Sequence, residues 1–276
     1  MTPEDLQLIT ADFLQSDLNH ITAENACDDA CIGTAFYTDP LFGVADAADP
    51  LFPALRDPQI TDPGLLMPAD MLPGARRVIS WFLPFSEAVR RGNARRMSAP
   101  GQLWQQARAE GQDANFAFGE AICGALTREG YSAMQPSLSD KFRMLRPFCS
   151  NWSERHVAYI AGLGTFGLSK GLITARGIAG RFGSVVTDAP LPVTKRPYDS
   201  SFAYCLMCGA CARNCPAGAI DPKKGVALGK DHLLCSPFVK SWNSLQRCGS
   251  GERMRYGCGK CQVGVPCEAG IPRRAR

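Results

Sequence analysis

Thirteen cysteines, nine of them beyond residue 200, limit what this chain of 276 residues can become. The stretch CLMCGACARNCP places Cys205, Cys208, Cys211 and Cys215 at the spacing C-x2-C-x2-C-x3-C-P. Three thiolates so close together let one loop wrap three irons of a cubane. The fourth, carried past the turn and followed by Pro, is directed at a neighbouring cluster. A second group of thiols is therefore required, and Cys235 with CGKCQVGVPC (Cys258, Cys261, Cys267) supplies it. The economical pairing is crossed. Cys205, Cys208, Cys211 and Cys267 hold a first 4Fe–4S cluster, and Cys215, Cys235, Cys258 and Cys261 hold a second. Cys248 lies in the same stretch as Cys235 and is an alternative to it. Zinc also takes four thiolates, but its modules usually present two separated CxxC pairs, so iron and sulfide are the expectation.

The other cysteines carry less. Cys123 falls on an apolar helical pattern and reads as a small core residue. Cys27 and Cys31, in CDDAC, read as incidental, and Cys149 is not taken as a nucleophile. With His20, His156 and His232 as the only histidines, a multi-histidine metal site is not expected, and His156 reads as a structural partner.

Composition sets the remaining limits. A hydrophobic fraction of 45% and a charged fraction of 20% are ordinary for a globular protein. No apolar run has the length of a membrane span. The start, MTPEDLQLITADFLQSDLNH, lacks a basic segment followed by an apolar one. It reads as a helix start, with Thr2 as cap, Pro3 at the first position and Asp5 in the first turn. A cytoplasmic protein with no membrane partner is expected. Net charge is only +4. The cluster VRRGNARRM (Arg90, Arg91, Arg95, Arg96) and the tail IPRRAR therefore read as solvated surface before they read as phosphate contacts.

Seven prolines between Pro40 and Pro73 predict irregular chain wrapped over a core, and the repeated DPLF at 39–42 and 49–52 reads as chance. RRVISWFLP (76–84) predicts a buried strand that Pro84 ends. QDANFAFGEAICGALTREG (112–130) predicts an amphipathic helix through Phe118, Ala121, Ile122, Ala125 and Leu126, with Gly130 as its C-terminal cap. YSAMQP, GLIT and RFGSVVTD (181–188) predict strands, and SERHVAYIAG (153–162) a helix with Ser153 as cap and Glu154 in its first turn. Elements of both kinds intermingle to residue 198. The expected architecture is a mixed α/β (α+β) domain over 1–198, irregular over 1–75, followed by an iron–sulfur domain over 199–276.

Within AGLGTFG, Gly162-x-Gly164-x-x-Gly167 has the spacing of a dinucleotide turn. Such a turn must follow a strand and open a long helix that receives the pyrophosphate. Here a helix precedes it, and LSKGLIT follows with Gly171 and β-branched residues. No nucleotide site is expected. Glycines at this density imply backbone lying close to something bulky.

Together, AGLGTFGLSKGLIT, RFGSVVTDAPLP, CxxCxxCxxxCP and the second cysteine set resemble the epoxyqueuosine reductases, over roughly residues 70–270, and more distantly the reductive dehalogenases. The resemblance implies a nitroreductase-like corrinoid-binding domain followed by a small bacterial-ferredoxin-like domain with two 4Fe–4S clusters. It implies that the clusters pass electrons singly to cobalamin, and that Gly162, Gly164 and Gly167 pack against the corrin. Reduced ferredoxin or flavodoxin would be the donor, and a small molecule or modified nucleoside the substrate. Three departures stand out. The acid that the family carries about a dozen residues before the AGLG turn has no counterpart in RPFCSNWS, leaving Glu154 and Asp140 as the nearest carboxylates. The chain ends at Arg276 without the helical repeats of the tRNA-modifying members. Its last cysteines are spaced Cys261-x5-Cys267 where those enzymes have C-x3-C-P.

A divergent branch with another substrate is therefore expected. The leading expectation is a cobalamin-dependent reductase. An electron-transfer or reductive-activating protein is the alternative, and epoxyqueuosine–tRNA reduction a third, with tRNA not favoured as partner.

Overall fold

RVISWFLP is apolar at consecutive positions, so a strand built from it needs cover on both faces. The computed structural model, which describes residues 3–96, 98–146 and 148–273, supplies that cover. Thr2 and residues 274–276 of the basic tail lie outside the described residues. The helices are α1 (Pro3–Gln15), α2 (Leu51–Ala54), α3 (Pro68–Met71), α4 (Glu87–Ala94), α5 (Gln102–Arg128), α6 (Glu154–Ile160), α7 (Ala210–Arg213), α8 (Gly225–Leu228) and α9 (His232–Ser241). The strands are β1 (Leu41–Asp46), β2 (Arg77–Pro84), β3 (Ala133–Met134), β4 (Met144–Arg146), β5 (Cys149–Ser150), β6 (Gly164–Phe166), β7 (Leu172–Thr174), β8 (Gly180–Thr187), β9 (Ser244–Cys248) and β10 (Gly251–Arg255).

Four strands form an antiparallel sheet in the order β1-β2-β8-β3, and β4-β5, β6-β7 and β9-β10 are separate two-stranded pairs. Side chains alternate across the sheet. Ile79, Trp81, Leu83 and Val185 face α5, where they pack with Ala114, Phe118 and Ile122. Val78 and Val186 face α6 with Trp152, Val157 and Ile160. The Trp81 indole N–H donates to Asn115 Oδ1 at 2.7 Å, and Asn115 Nδ2 donates to the Phe182 carbonyl at 3.1 Å, which pins α5 to the sheet.

Three expectations need correction. The segment 40–73 is not wholly irregular, because Leu41–Asp46 pairs with β2 along its whole length. Flanking prolines hide this strand in the sequence. The two DPLF copies then diverge, one opening β1 and the other α2. The helix expected over 112–130 begins at Gln102, ten residues earlier. Its first turns bury Gln105, Gln106 and Glu110, polar residues that obscure the apolar period. Ala121, counted on the apolar face, is exposed.

The cysteine-rich chain after residue 198 is stitched to the sheet region by backbone and side-chain bonds. Phe166 N–H donates to the Ser201 carbonyl at 2.7 Å, and Ile178 N–H to the Cys267 carbonyl at 3.0 Å. Asn93 Nδ2 reaches the Cys258 carbonyl at 3.0 Å, and Arg255 forms a buried ion pair with Glu110 on α5. Gly259, in the left-handed region at φ +66°, lets the backbone lie on the Trp104 ring, which any Cβ there would strike.

Candidate functional site

The eight cysteines of the two expected sets gather around two clefts. The first is lined by Cys205, Cys208, Cys211 and Cys267. The second, the roomier, is lined by Cys215, Cys235, Cys258 and Cys261. Two short helical turns begin after glycines in the left-handed region, Gly209 before Ala210–Arg213 and Gly259 before Lys260–Gln262, and each carries one of the eight cysteines, Cys211 and Cys261. Asn214 Nδ2 ties the first loop to the last by donating to the Val263 carbonyl at 2.9 Å.

The thiols feel one another within these sets. Burial pushes Cys211 up to about 11 and Cys267 up to about 12, and neighbours that include Cys205 and Cys208 push further. In the second set, burial pushes Cys258 up to about 11, aided by Cys261 and Cys235, and raises Cys235, aided by Cys261 and Cys215. Cys261 also acts on Cys211, so the two clefts adjoin.

Buried thiols such as Cys211, Cys258 and Cys267 suit a positively charged iron centre that removes their protons on binding. Among the described residues no three His, Cys, Asp or Glu side chains converge on a point that one metal ion could fill. Each quartet surrounds a cleft. Four thiols lining each cleft are the donor chemistry a cubane would take, one thiolate per iron.

Cys248 does not line the second cleft. It is disulfide-bonded to Cys27, 221 residues away, and is buried at the end of β9. Cys27, read as incidental, therefore has a partner that its local sequence could not reveal, and Cys235 stands at the cleft. Cys31 and Cys123 pack against the main core, and Cys149 is half-buried on the short strand β5.

The three glycines of the AGLGTFG turn lie close to the chain itself. A Cβ on Gly164 would meet the Ile173 carbonyl oxygen of β7 at 2.1 Å, and one on Gly167 the Ile173 side chain at 3.1 Å. Gly162, at φ +86°, faces the backbone of residues 195–196. The expected close approach exists, but its partner is β7 and the segment leading out of the sheet region. Gly167 also lines the first cysteine cleft.

Of the two carboxylates named from the sequence, Asp140 sits exposed in a turn beside Ser139. Glu154 is different. It accepts a hydrogen bond from Ser137 Oγ at 2.6 Å, while its other oxygen is buried without a partner. Burial pushes its carboxyl up to about 7, against the hydrogen bond from Ser137. This is a carboxylic acid poised near neutrality, not the solvated first-turn acid that its position suggested. His156 bonds Ser153 Oγ through Nδ1 at 2.8 Å and packs on Phe166, and burial pushes its ring down to about 4.

Sequence reasoning missed the cations. Arg108 of α5 lines the second cleft, with its guanidinium 5.3 Å from the centroid of the Tyr256 ring, and burial pushes it down to about 9. Lys230 and Lys260 line the same cleft. The Arg181 guanidinium donates to the Arg108 carbonyl at 2.5 Å, and Arg155 to the Lys170 carbonyl at 2.6 Å. The VRRGNARRM cluster, by contrast, lies on and just after α4, where Arg90 faces Glu268 at 3.7 Å and Arg91 pairs with Glu87 at 3.3 Å.

Comparison with solved structures gives this α+β fold its relatives. An epoxyqueuosine reductase solved with an epoxyqueuosine-modified tRNA-Tyr stem loop is similar at a TM-score of 0.50 and 16% identity, over 87% of this chain and 64% of that one. A catabolic reductive dehalogenase is similar at 0.53 and 17% identity, over 97% of this chain and 36% of that one. The same dehalogenase in complex with 3-bromo-4-hydroxybenzoic acid gives 0.53 and 18%, over 97% and 37%. No protein-family model and no curated protein matches the chain in sequence. The fold is thus the one shared by epoxyqueuosine reductases and reductive dehalogenases, which bears out the family resemblance read from the motifs at the level of fold. The chain spans under two thirds of the first protein's length and little over one third of the second's. Among the described residues no helix is long and apolar enough to cross a membrane.

Proposed function

We propose that this chain is an iron–sulfur oxidoreductase of the epoxyqueuosine reductase-like kind. Cys205, Cys208, Cys211 and Cys267 would hold one 4Fe–4S cluster, and Cys215, Cys235, Cys258 and Cys261 a second. The supporting observation is two adjoining clefts, each ringed by four thiols, on a fold shared with reductases. Bound there, the clusters supply single electrons of low potential.

The chain's own residues do the rest. Leu168, Ile173, Ile178 and Val265 keep water from the first cleft. Trp104 and Phe238 do so at the second. Glu154, protonated near neutral pH, is the group suited to deliver a proton. A one-electron donor such as reduced ferredoxin or flavodoxin would meet the chain near Cys208, the exposed thiol of the eight. The setting is cytoplasmic, and the substrate a small molecule or modified nucleoside. The resemblance supports cobalamin as the acceptor.

The lack of an acid in RPFCSNWS favours a second function, an electron carrier that reduces another protein's centre. Mixing anaerobically purified protein with cob(II)alamin distinguishes the two. The reductase retains cobalt after desalting and shifts the corrin spectrum. A carrier leaves the spectrum unchanged and retains no cobalt.

A further inference from the structure

The two clefts are lined alike in sulfur and unlike in charge. Beside its four thiols the first is lined by apolar side chains, glycines and Ser169, with no charged group among the described residues. The second adds Arg108, Lys230 and Lys260, and no carboxylate lines it. Arg155 stands close enough to feel the charge of Cys261. Arg108 and Lys260 meet neutral partners. The Arg108 guanidinium lies over the Tyr256 ring with its Nε buried and unpartnered, and Lys260 Nζ donates to the neutral side chain of Asn93 at 2.9 Å.

Cluster potentials follow net charge, hydrogen bonds to sulfur and solvent exposure. Among the described residues a backbone hydrogen bond to a ligand sulfur falls at the second site, where Ala219 N–H reaches Cys215 Sγ at 3.4 Å, and it acts in the same direction as the cations. Water at exposed Cys208 and the exposed Arg213 guanidinium, which donates to the Cys208 carbonyl at 3.1 Å, favour an added electron at the first site, but both act at one ligand of four. Three cations on the wall of the second cleft, the buried Lys260 among them, outweigh them.

Resting on the function proposed above, we infer that Arg108, Lys230 and Lys260 make the second site the electron sink of the pair. An electron accepted from a one-electron donor at the first site, near Cys208, is then given up by that site and gained by the second. Arg108 comes from α5, so the sheet region sets the direction of transfer in the cysteine-rich region.

The test is a potentiometric titration of the full chain, reconstituted anaerobically with iron and sulfide and followed by EPR. Two separate one-electron steps are expected. Arg108→Gln and Lys230→Gln should each lower the higher-potential step and leave the other in place. Met207→Lys, which puts a cation on the first cleft, should raise the lower step only. Iron content equal to the parent protein checks that each variant is loaded. Coincident steps overturn the inference. So does a shift of the lower step by Arg108→Gln or Lys230→Gln, no shift by either, or a shift of the higher step by Met207→Lys. Protein that takes up no iron overturns the proposed function itself, whereas two clusters of equal potential overturn this inference alone.

Discussion

Around β2 the side chains of Val78, Ile79, Trp81, Phe82 and Leu83 are wholly buried, whereas in α9 not one residue is. The same contrast runs through the two regions. The sheet closes on a continuous core of aromatic and branched side chains between α5 and α6. The cysteine-rich chain buries few apolar residues, chiefly Ala210, Ala219, Ile220, Val263 and Val265, and leaves Leu228, Leu233 and Leu234 more than half exposed. A segment so short of core gains stability from a disulfide, a metal or a neighbour. Here the interior that a core would occupy is the pair of thiol-lined clefts. The difference teaches that the first region folds on hydrophobic burial, whereas the second, on the function proposed above, would draw its stability from bound clusters.

The strongest way to break this comparison is to remove the iron. Chelation under anaerobic conditions should open the chain after residue 198 to protease while the sheet region stays protected, as limited proteolysis with mass spectrometry would report. Equal resistance with and without iron would contradict it. Next in size, Trp81→Ala removes a fully buried indole and orphans Asn115, and should cost about 3–5 kcal/mol of sheet stability. Denaturant unfolding of the iron-free protein reads this directly, and a loss under ~1 kcal/mol would mean that the sheet core is not what holds that region.

The smallest effect sharpens the comparison within the sheet region. Glu154 has its carboxyl raised in the fold from 4.5 to about 7. The folded state therefore binds this proton more tightly than the unfolded chain does. The stabilisation is complete below pH 4.5 and is lost as pH rises through about 7. Melting temperatures measured across that range should fall for the parent protein relative to Glu154→Gln. Parallel pH profiles would remove Glu154 as a buried acid.

Sequence alone reveals the parts of this molecule that obey a local rule. The C-x2-C-x2-C-x3-C-P spacing is a property of one loop, and it leads to the same crossed sets of four that ring the clefts. RVISWFLP and RFGSVVTD become β2 and β8 because their apolar runs have no other way to be buried. What sequence hides is what comes together from afar or runs against local preference. β1 lies between prolines that discourage a strand, and its partner β2 overrides them. The first turns of α5 present buried Gln105, Gln106 and Glu110 whose partners lie in the cysteine-rich chain or near Asn25. Cys27 and Cys248 are joined across 221 residues. Arg108 becomes part of the second cleft only once α5 is packed against residues 256–259. The glycine turn is legible as a close approach of backbone, yet spacing cannot say to what, and the answer is β7.

The central claim is that eight sulfurs grip two cubanes. Iron, zinc and acid-labile sulfide should be quantified per chain on protein purified without oxygen. About eight irons and eight sulfides, with roughly half of each remaining in Cys258→Ser, are expected. Colourless protein containing zinc and no sulfide would contradict the account.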